Sequence, residues 1–116
     1  MFSEGERQRI QDMLDAISRI QGYVSGMEFE AFQNDPRTVD AVVRNLEIIG
    51  EASKHVPERL TRYYDDADWS RIGAMRNKLI HDYARTNERL VWETVKTRLG
   101  LLAEALEQMA SEIDSA

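Results

Sequence analysis

Apolar residues recur every three or four positions along most of this chain, the repeat of amphipathic helices packed on a shared core. Ile10, Met13, Leu14, Ile17, Ile20 and Val24 make the first stripe, and Ser3 with Glu6 is a capping box ahead of it. The pattern predicts a helix over residues 4–23, its end bracketed by Gly22 and Gly26. Ser25 and Glu28 repeat the capping signature, which predicts a short helical turn whose Phe29 and Phe32 cap the core. Asp35-Pro36 places a side-chain acceptor before a proline at the first helical position. Val39, Val42, Val43, Leu46, Ile49 and Ser53 then line one face of a helix over 36–55. His55, just before Val56-Pro57, reads as a C-terminal cap. Pro57 opens another single turn that ends at Tyr63 and Tyr64. Asp68 is the expected N-cap of a helix running from Trp69 to about Ala84. Thr86-Asn87 caps the chain again, and the apolar positions from Leu90 to Ile113 predict one last helix of about 25 residues. Gly100 weakens that helix, and a close helix crossing would account for it. No stretch alternates as a strand does. The pattern therefore predicts an all-α fold, an antiparallel four-helix bundle with a short additional helix, as a single domain over 1–116.

Composition narrows the function classes. The chain has 116 residues, 15 Lys or Arg, 21 Asp or Glu, no cysteine and a formal charge of −6. Without cysteine there is neither a disulfide framework nor a thiolate zinc site. No apolar run reaches the roughly 20 residues a membrane helix needs. The first residues lack the basic and apolar regions of a signal peptide, so the cytoplasm is the expected compartment and no membrane partner is expected. The acidic average hides a gradient: residues 71–98 hold seven Lys or Arg against three acids, +4, which leaves −10 for the remainder. A basic segment on an acidic body can meet phosphates locally, although a solvated face of mixed charges would read the same.

Within that segment, residues 76–83 read Arg-Asn-Lys-Leu-Ile-His-Asp-Tyr. On a wheel of about 100° per residue, Ile72, Met75, Leu79, Ile80 and Tyr83 occupy one arc that contains Arg76. Asn77 and His81 share a neighbouring strip. A guanidinium in an apolar arc is costly unless it is paired or lies where two surfaces meet. Arg44, Glu47, Glu51 and His55 form a polar strip on the preceding long helix, and Glu51 or Glu47 is the candidate partner for Arg76.

The available chemistry is limited. The two histidines lie 26 residues apart, without the paired spacing of a metal site, so no metal or other cofactor is expected. The acidic loop 65–68 draws its carboxylates from one element and makes a poor two-metal site. No Ser or Cys stands in a nucleophile setting. Metal-free RNA cleavage needs less: a histidine to move protons and an arginine beside the phosphorane. A single plausible catalytic histidine per chain is most simply supplemented by a second copy across a twofold homodimer. His81 lies about 140° from Arg76 on the wheel, which also makes a second subunit part of such a site. Taken alone, an Arg and a His five apart also fit an interfacial histidine with no catalytic role.

Arg76, polar Asn77, three intervening residues, His81, Asp82 and Tyr83 resemble the signature of the HEPN superfamily, in its HepT-like branch of toxins. Ile48-Ile49-Gly50-Glu51-Ala52, Trp69 and Val91-Trp92 are similar to that family's flanking segments, so the resemblance spans about residues 36–107. It implies a HEPN-like helical fold and a homodimeric, metal-independent endoribonuclease of a type VII-like toxin–antitoxin pair. Arg76 and His81 from both subunits would be catalytic, with Asn77 orienting the site. The implied partner is a cognate nucleotidyltransferase antitoxin that transfers AMP from ATP to the motif tyrosine, here Tyr83. A second reading is a non-catalytic helical module that partners, or presents substrate to, a nucleotidyltransferase. A helix-turn-helix DNA repressor is disfavoured by the charge and the lack of a basic recognition helix.

Overall fold

The computed structural model describes residues 2–64, 67, 69–81 and 87–115, with side chains at 79–81 and 113–115 outside the description. The described residues form helices and no strand, as the apolar repeat requires: α1 (Glu4–Val24), α2 (Phe29–Gln33), α3 (Pro36–Ser53), α4 (Glu58–Tyr63), α5 (Trp69–His81), α6 (Glu88–Thr97) and α7 (Leu99–Ser115). None of them is long and apolar enough to cross a membrane. The expected Asp68 cap, Tyr83 and the run to Ala84 lie outside the described residues.

Local sequence explains where the long helices start. The Ser3 hydroxyl accepts from the Glu6 amide at 3.1 Å, while Glu6 accepts from the Ser3 amide at 2.9 Å, a complete capping box. Asp35 accepts from the Thr38 amide at 3.2 Å and from its hydroxyl at 2.7 Å, with Pro36 at the first helical position. Asn87 caps α6 by accepting from the Leu90 amide at 3.1 Å. At the start of α5 the Trp69 indole donates to the Tyr64 carbonyl at 2.9 Å, which ties that helix to the end of α4.

Four expectations are corrected. Ser25 does not open α2: it closes α1, Gly26 follows at φ 76°, and Glu28 is an N-cap that makes no side-chain bond. Helix α3 ends at Ser53 with Lys54 as its cap, so His55 lies one residue beyond the cap. The last helix is divided at Arg98. Thr94 and Thr97 donate their hydroxyls back to the Leu90 and Glu93 carbonyls, at 2.8 and 2.7 Å, immediately before the break. Such back-bonding bends a helix. Gly100 marks no close crossing, since a Cβ there would meet no atom within 4 Å among the described residues.

The core lies chiefly between α1, α3 and α7. Met13 and Ile20 from α1, Leu46 and Ile49 from α3, and Leu102, Leu106 and Met109 from α7 are fully enclosed. Phe32 of α2 is buried beside Trp92 of α6, ring centres 5.1 Å apart, and half-buried Phe29 meets the same indole at 6.2 Å. The two phenylalanines therefore close one side of the core, as their spacing predicts. Helix α3 is central: α1 packs on one side of it and α5 on the other.

Candidate active-site cleft

The side of α3 that faces α5 is shaped by Gly50. A Cβ at that position would collide with Arg76 Cβ and lie 2.9 Å from its Cγ and 3.0 Å from its Cδ. Only a bare α-carbon lets the arginine stem lie against the α3 backbone. Ile72, buried, and Met75, packed against the core, hold this part of α5 in place. The stem of Arg76 is thus covered while its head reaches a cleft edge, leaving the side chain 21 % exposed.

Arg76 Nη2 lies 2.8 Å from Glu51 Oε2. The carboxylate sits one residue beyond Gly50, so the residue that permits close approach and the residue that receives the charge are consecutive in α3. The other Glu51 oxygen lies 3.7 Å from His55 Nε2, so His55 turns to this carboxylate across one helical turn. Glu47, the alternative partner, instead faces Arg44 at 3.9 Å. The sequence puzzle of an arginine in an apolar arc is resolved by pairing at the edge of the core.

Arg76 and Glu51 border an open cleft of about 350 Å³ between α1, α3 and α5, with Arg9 and Asp12 on its α1 wall and Arg44 and Glu47 on α3. Asn77 is exposed on the adjoining strip of α5. His81 is the last residue of that helix. Its backbone therefore sits about 7.5 Å along the axis from that of Arg76. The His81 ring lies outside the description, as does Tyr83. The structure thus brings Arg76 and Glu51 into contact, while Asn77, next in α5, is exposed and is not one of the residues lining the cleft. Among the described residues, no group of three or more His, Asp or Glu side chains converges as a metal site.

Two features escape a reading of the sequence. Arg9 and Asp12 of α1 join the cleft, which only the packing of α1 beside α3 decides. The basic segment also lines a second groove of about 250 Å³: Arg71, Lys78 and Arg98 surround a floor of Ile72, Leu90 and Leu102. The run of charge was visible in the sequence; the groove was not, because α5 and α6–α7 build it together.

The family profile described as ribonuclease HepT-like matches residues 13–109. A protein of Thermococcus cleftensis named as a probable ribonuclease HepT is 38 % identical over 100 residues, covering 86 % of this chain and 91 % of that one. A protein of Caldanaerobacter subterraneus subsp. tengcongensis named as a candidate RNase is 40 % identical over 86 residues, 74 % of this chain and 77 % of its own. A similarly named protein of Methanocaldococcus jannaschii is 32 % identical over 103 residues, 89 % of this chain and 85 % of that protein. No solved structure matches the chain. The matched span takes in α3, α5 and the Arg76–Glu51 pair between them, and on that evidence the chain belongs to the ribonuclease HepT-like family.

Proposed function

We propose that this protein is a metal-independent endoribonuclease, the toxin of a type VII-like toxin–antitoxin pair, acting in the cytoplasm. The observation that carries the reading is Arg76, its stem seated on Gly50 and its guanidinium held by Glu51 at the edge of a cleft. An arginine fixed in this way is preorganised for a phosphate, since little side-chain entropy remains to be lost on binding.

The reaction needs three acts at one phosphodiester. A histidine takes the proton of the 2′-hydroxyl as that oxygen attacks phosphorus. Arg76 faces the charge that grows on the non-bridging oxygens. A second, protonated histidine then gives its proton to the departing 5′-oxygen, leaving a 2′,3′-cyclic phosphate and a free 5′-hydroxyl. His81 and the partner subunit's His81 fill the two proton roles in a homodimer, with Asn77 orienting the site and Glu51 positioning Arg76. The nucleotidyltransferase antitoxin silences the enzyme by adenylylating Tyr83: the phenol oxygen attacks the α-phosphate of ATP and pyrophosphate leaves. The added phosphodiester brings negative charge seven residues from Arg76 in the sequence and obstructs RNA entry.

Purified, unmodified protein is expected to cleave RNA in excess EDTA. Arg76→Ala and His81→Ala are each expected to lower the rate by about 10²-fold or more while the dimer stays folded. Cleavage that survives both substitutions in clean preparations would sink the proposal. Intact mass spectrometry with the neighbouring transferase and ATP is expected to add adenylate at Tyr83 and not in Tyr83→Phe.

The Arg76–Glu51 pair also suits the second reading, a scaffold that binds a nucleotidyltransferase without cutting RNA, because an internally paired arginine needs no substrate to satisfy it. Expression of this chain alone separates the two. Growth arrest belongs to the ribonuclease, and unimpaired growth with tight transferase binding belongs to the module.

A further inference from the structure

The cleft beside Arg76 contains a cation that the proposed reaction does not use. Arg9 comes from the second turn of α1, is half-buried on the cleft wall, and has no ion-pair or hydrogen-bond partner among the described residues. Each carboxylate in the cleft is engaged elsewhere. Asp12 accepts from the Gln8 amide at 2.7 Å, Glu47 faces Arg44 at 3.9 Å, and Glu51 holds Arg76 at 2.8 Å. Arg9 alone among the charged side chains of the cleft makes no ion pair or hydrogen bond within the described residues, so its donors face the open cleft. A partly desolvated guanidinium whose donors meet no acceptor is unfavourable in the unliganded protein, and phosphate oxygens entering the cleft would supply those acceptors.

We propose that Arg9 holds a backbone phosphate of single-stranded RNA, a neighbour of the phosphate engaged by Arg76. The inference rests on the ribonuclease reading of this site. A strand that delivers one phosphate to Arg76 carries further charges along its backbone, and the cleft continues from Arg76 to the α1 wall where Arg9 stands. The forked donors of arginine suit phosphate oxygens. Arg9 precedes the matched family span of residues 13–109, so this contact belongs to the first helix of this chain and not to the catalytic motif.

The test uses a fully 2′-O-methylated single-stranded RNA, which lacks the attacking hydroxyl, titrated against the full chain at several salt concentrations by fluorescence anisotropy. Arg9→Ala is expected to weaken binding about five- to tenfold, as loss of a charge-assisted contact would. It should also flatten the slope of log K against log salt by about 0.7. Arg9→Lys should retain most of the affinity. Arg7→Ala removes the same charge from an exposed position two residues away and is the control, with little effect expected. Equal losses in Arg7→Ala and Arg9→Ala would show a general charge effect and overturn the assignment. Unchanged RNA binding in Arg9→Ala would overturn it too, even if affinity for inorganic phosphate fell. Wild-type protein that neither binds nor cleaves RNA removes the ribonuclease reading itself. Wild-type cleavage with Arg9→Ala indistinguishable removes the Arg9 site alone.

Discussion

The two sides of α3 are built for different purposes. Toward α1 it contributes Val42 and Leu46, fully enclosed, as are Met13 and Ile20 of α1. Toward α5 it offers Gly50, a bare backbone patch, followed by the Glu51 carboxylate that meets Arg76. The first side gains free energy from removing apolar surface from water, about 25 cal/mol per Å². The second adds little by charge pairing, because Glu51 is 49 % exposed and solvent screens the pair. What it supplies is the position of one guanidinium. One helix thus carries the stability of the bundle on one side and the geometry of the candidate site on the other, Leu46 and Gly50 being about one turn apart.

That division can be broken experimentally. Leu46→Ala should have the largest effect on stability, about 2–5 kcal/mol in denaturant unfolding, because it opens a cavity in the sealed side. RNA cleavage per folded molecule should be unchanged, and a proportionate loss of turnover would show that the two sides are coupled. Gly50→Ala should cost about 1–3 kcal/mol through overpacking against the Arg76 stem. Unlike Leu46→Ala, it should also depress turnover of the folded fraction, since α5 must shift and the guanidinium moves with it. Glu51→Gln should move the unfolding free energy by less than about 1 kcal/mol, the range of exposed pairs. It should lower kcat and leave KM close to wild type, whereas a purely structural role would leave both unchanged.

The smallest effect concerns pH and lies away from both sides. The Thr38 hydroxyl and amide, bonded to Asp35, hold its carboxyl below the ordinary value of 3.8. Bonding to the Ser3 amide, helped by Arg59, holds Glu6 below 4.5. Both folded values are depressed, so each carboxylate contributes stability above its unfolded value, and the contribution is lost as pH falls through the folded value. Unfolding midpoints should therefore drop on acidification below about pH 4. Asp35→Asn, which can still cap α3 but cannot titrate, should show a shallower acid decline.

The site was legible in the sequence to the extent that it is local. The spacing of Arg76 and His81, the neighbouring Asn77 and the two candidate partners, Glu51 or Glu47, could be stated from helical periodicity and one family resemblance; only the structure chose Glu51. The errors arose where competing local signals are weak. Ser25 and Glu28 have the residue types of a capping box, but the chain leaves α1 through a left-handed Gly26 and does not present the hydroxyl to a new helix. The apolar stripe of 90–113 continues through Arg98, and periodicity cannot register the threonine back-bonds that divide it. A histidine just before Val56-Pro57 has the position of a cap, yet the His55 ring faces the carboxylate one turn earlier.

Hydrophobic periodicity and capping residues therefore determined the all-α class, the long helices and the face of α5 on which an arginine would be out of place. Each depends on residues within a few positions of one another, where a single chain segment sets the geometry. The tertiary structure decided the contacts that cross between helices. It paired Arg76 with Glu51, made Gly50 the point where α5 touches α3, and brought Arg9 of α1 into the same cleft. Those depend on how far apart two helices pack and how each is rotated about its axis. Both are fixed by the summed fit of many side chains, and no single motif encodes them.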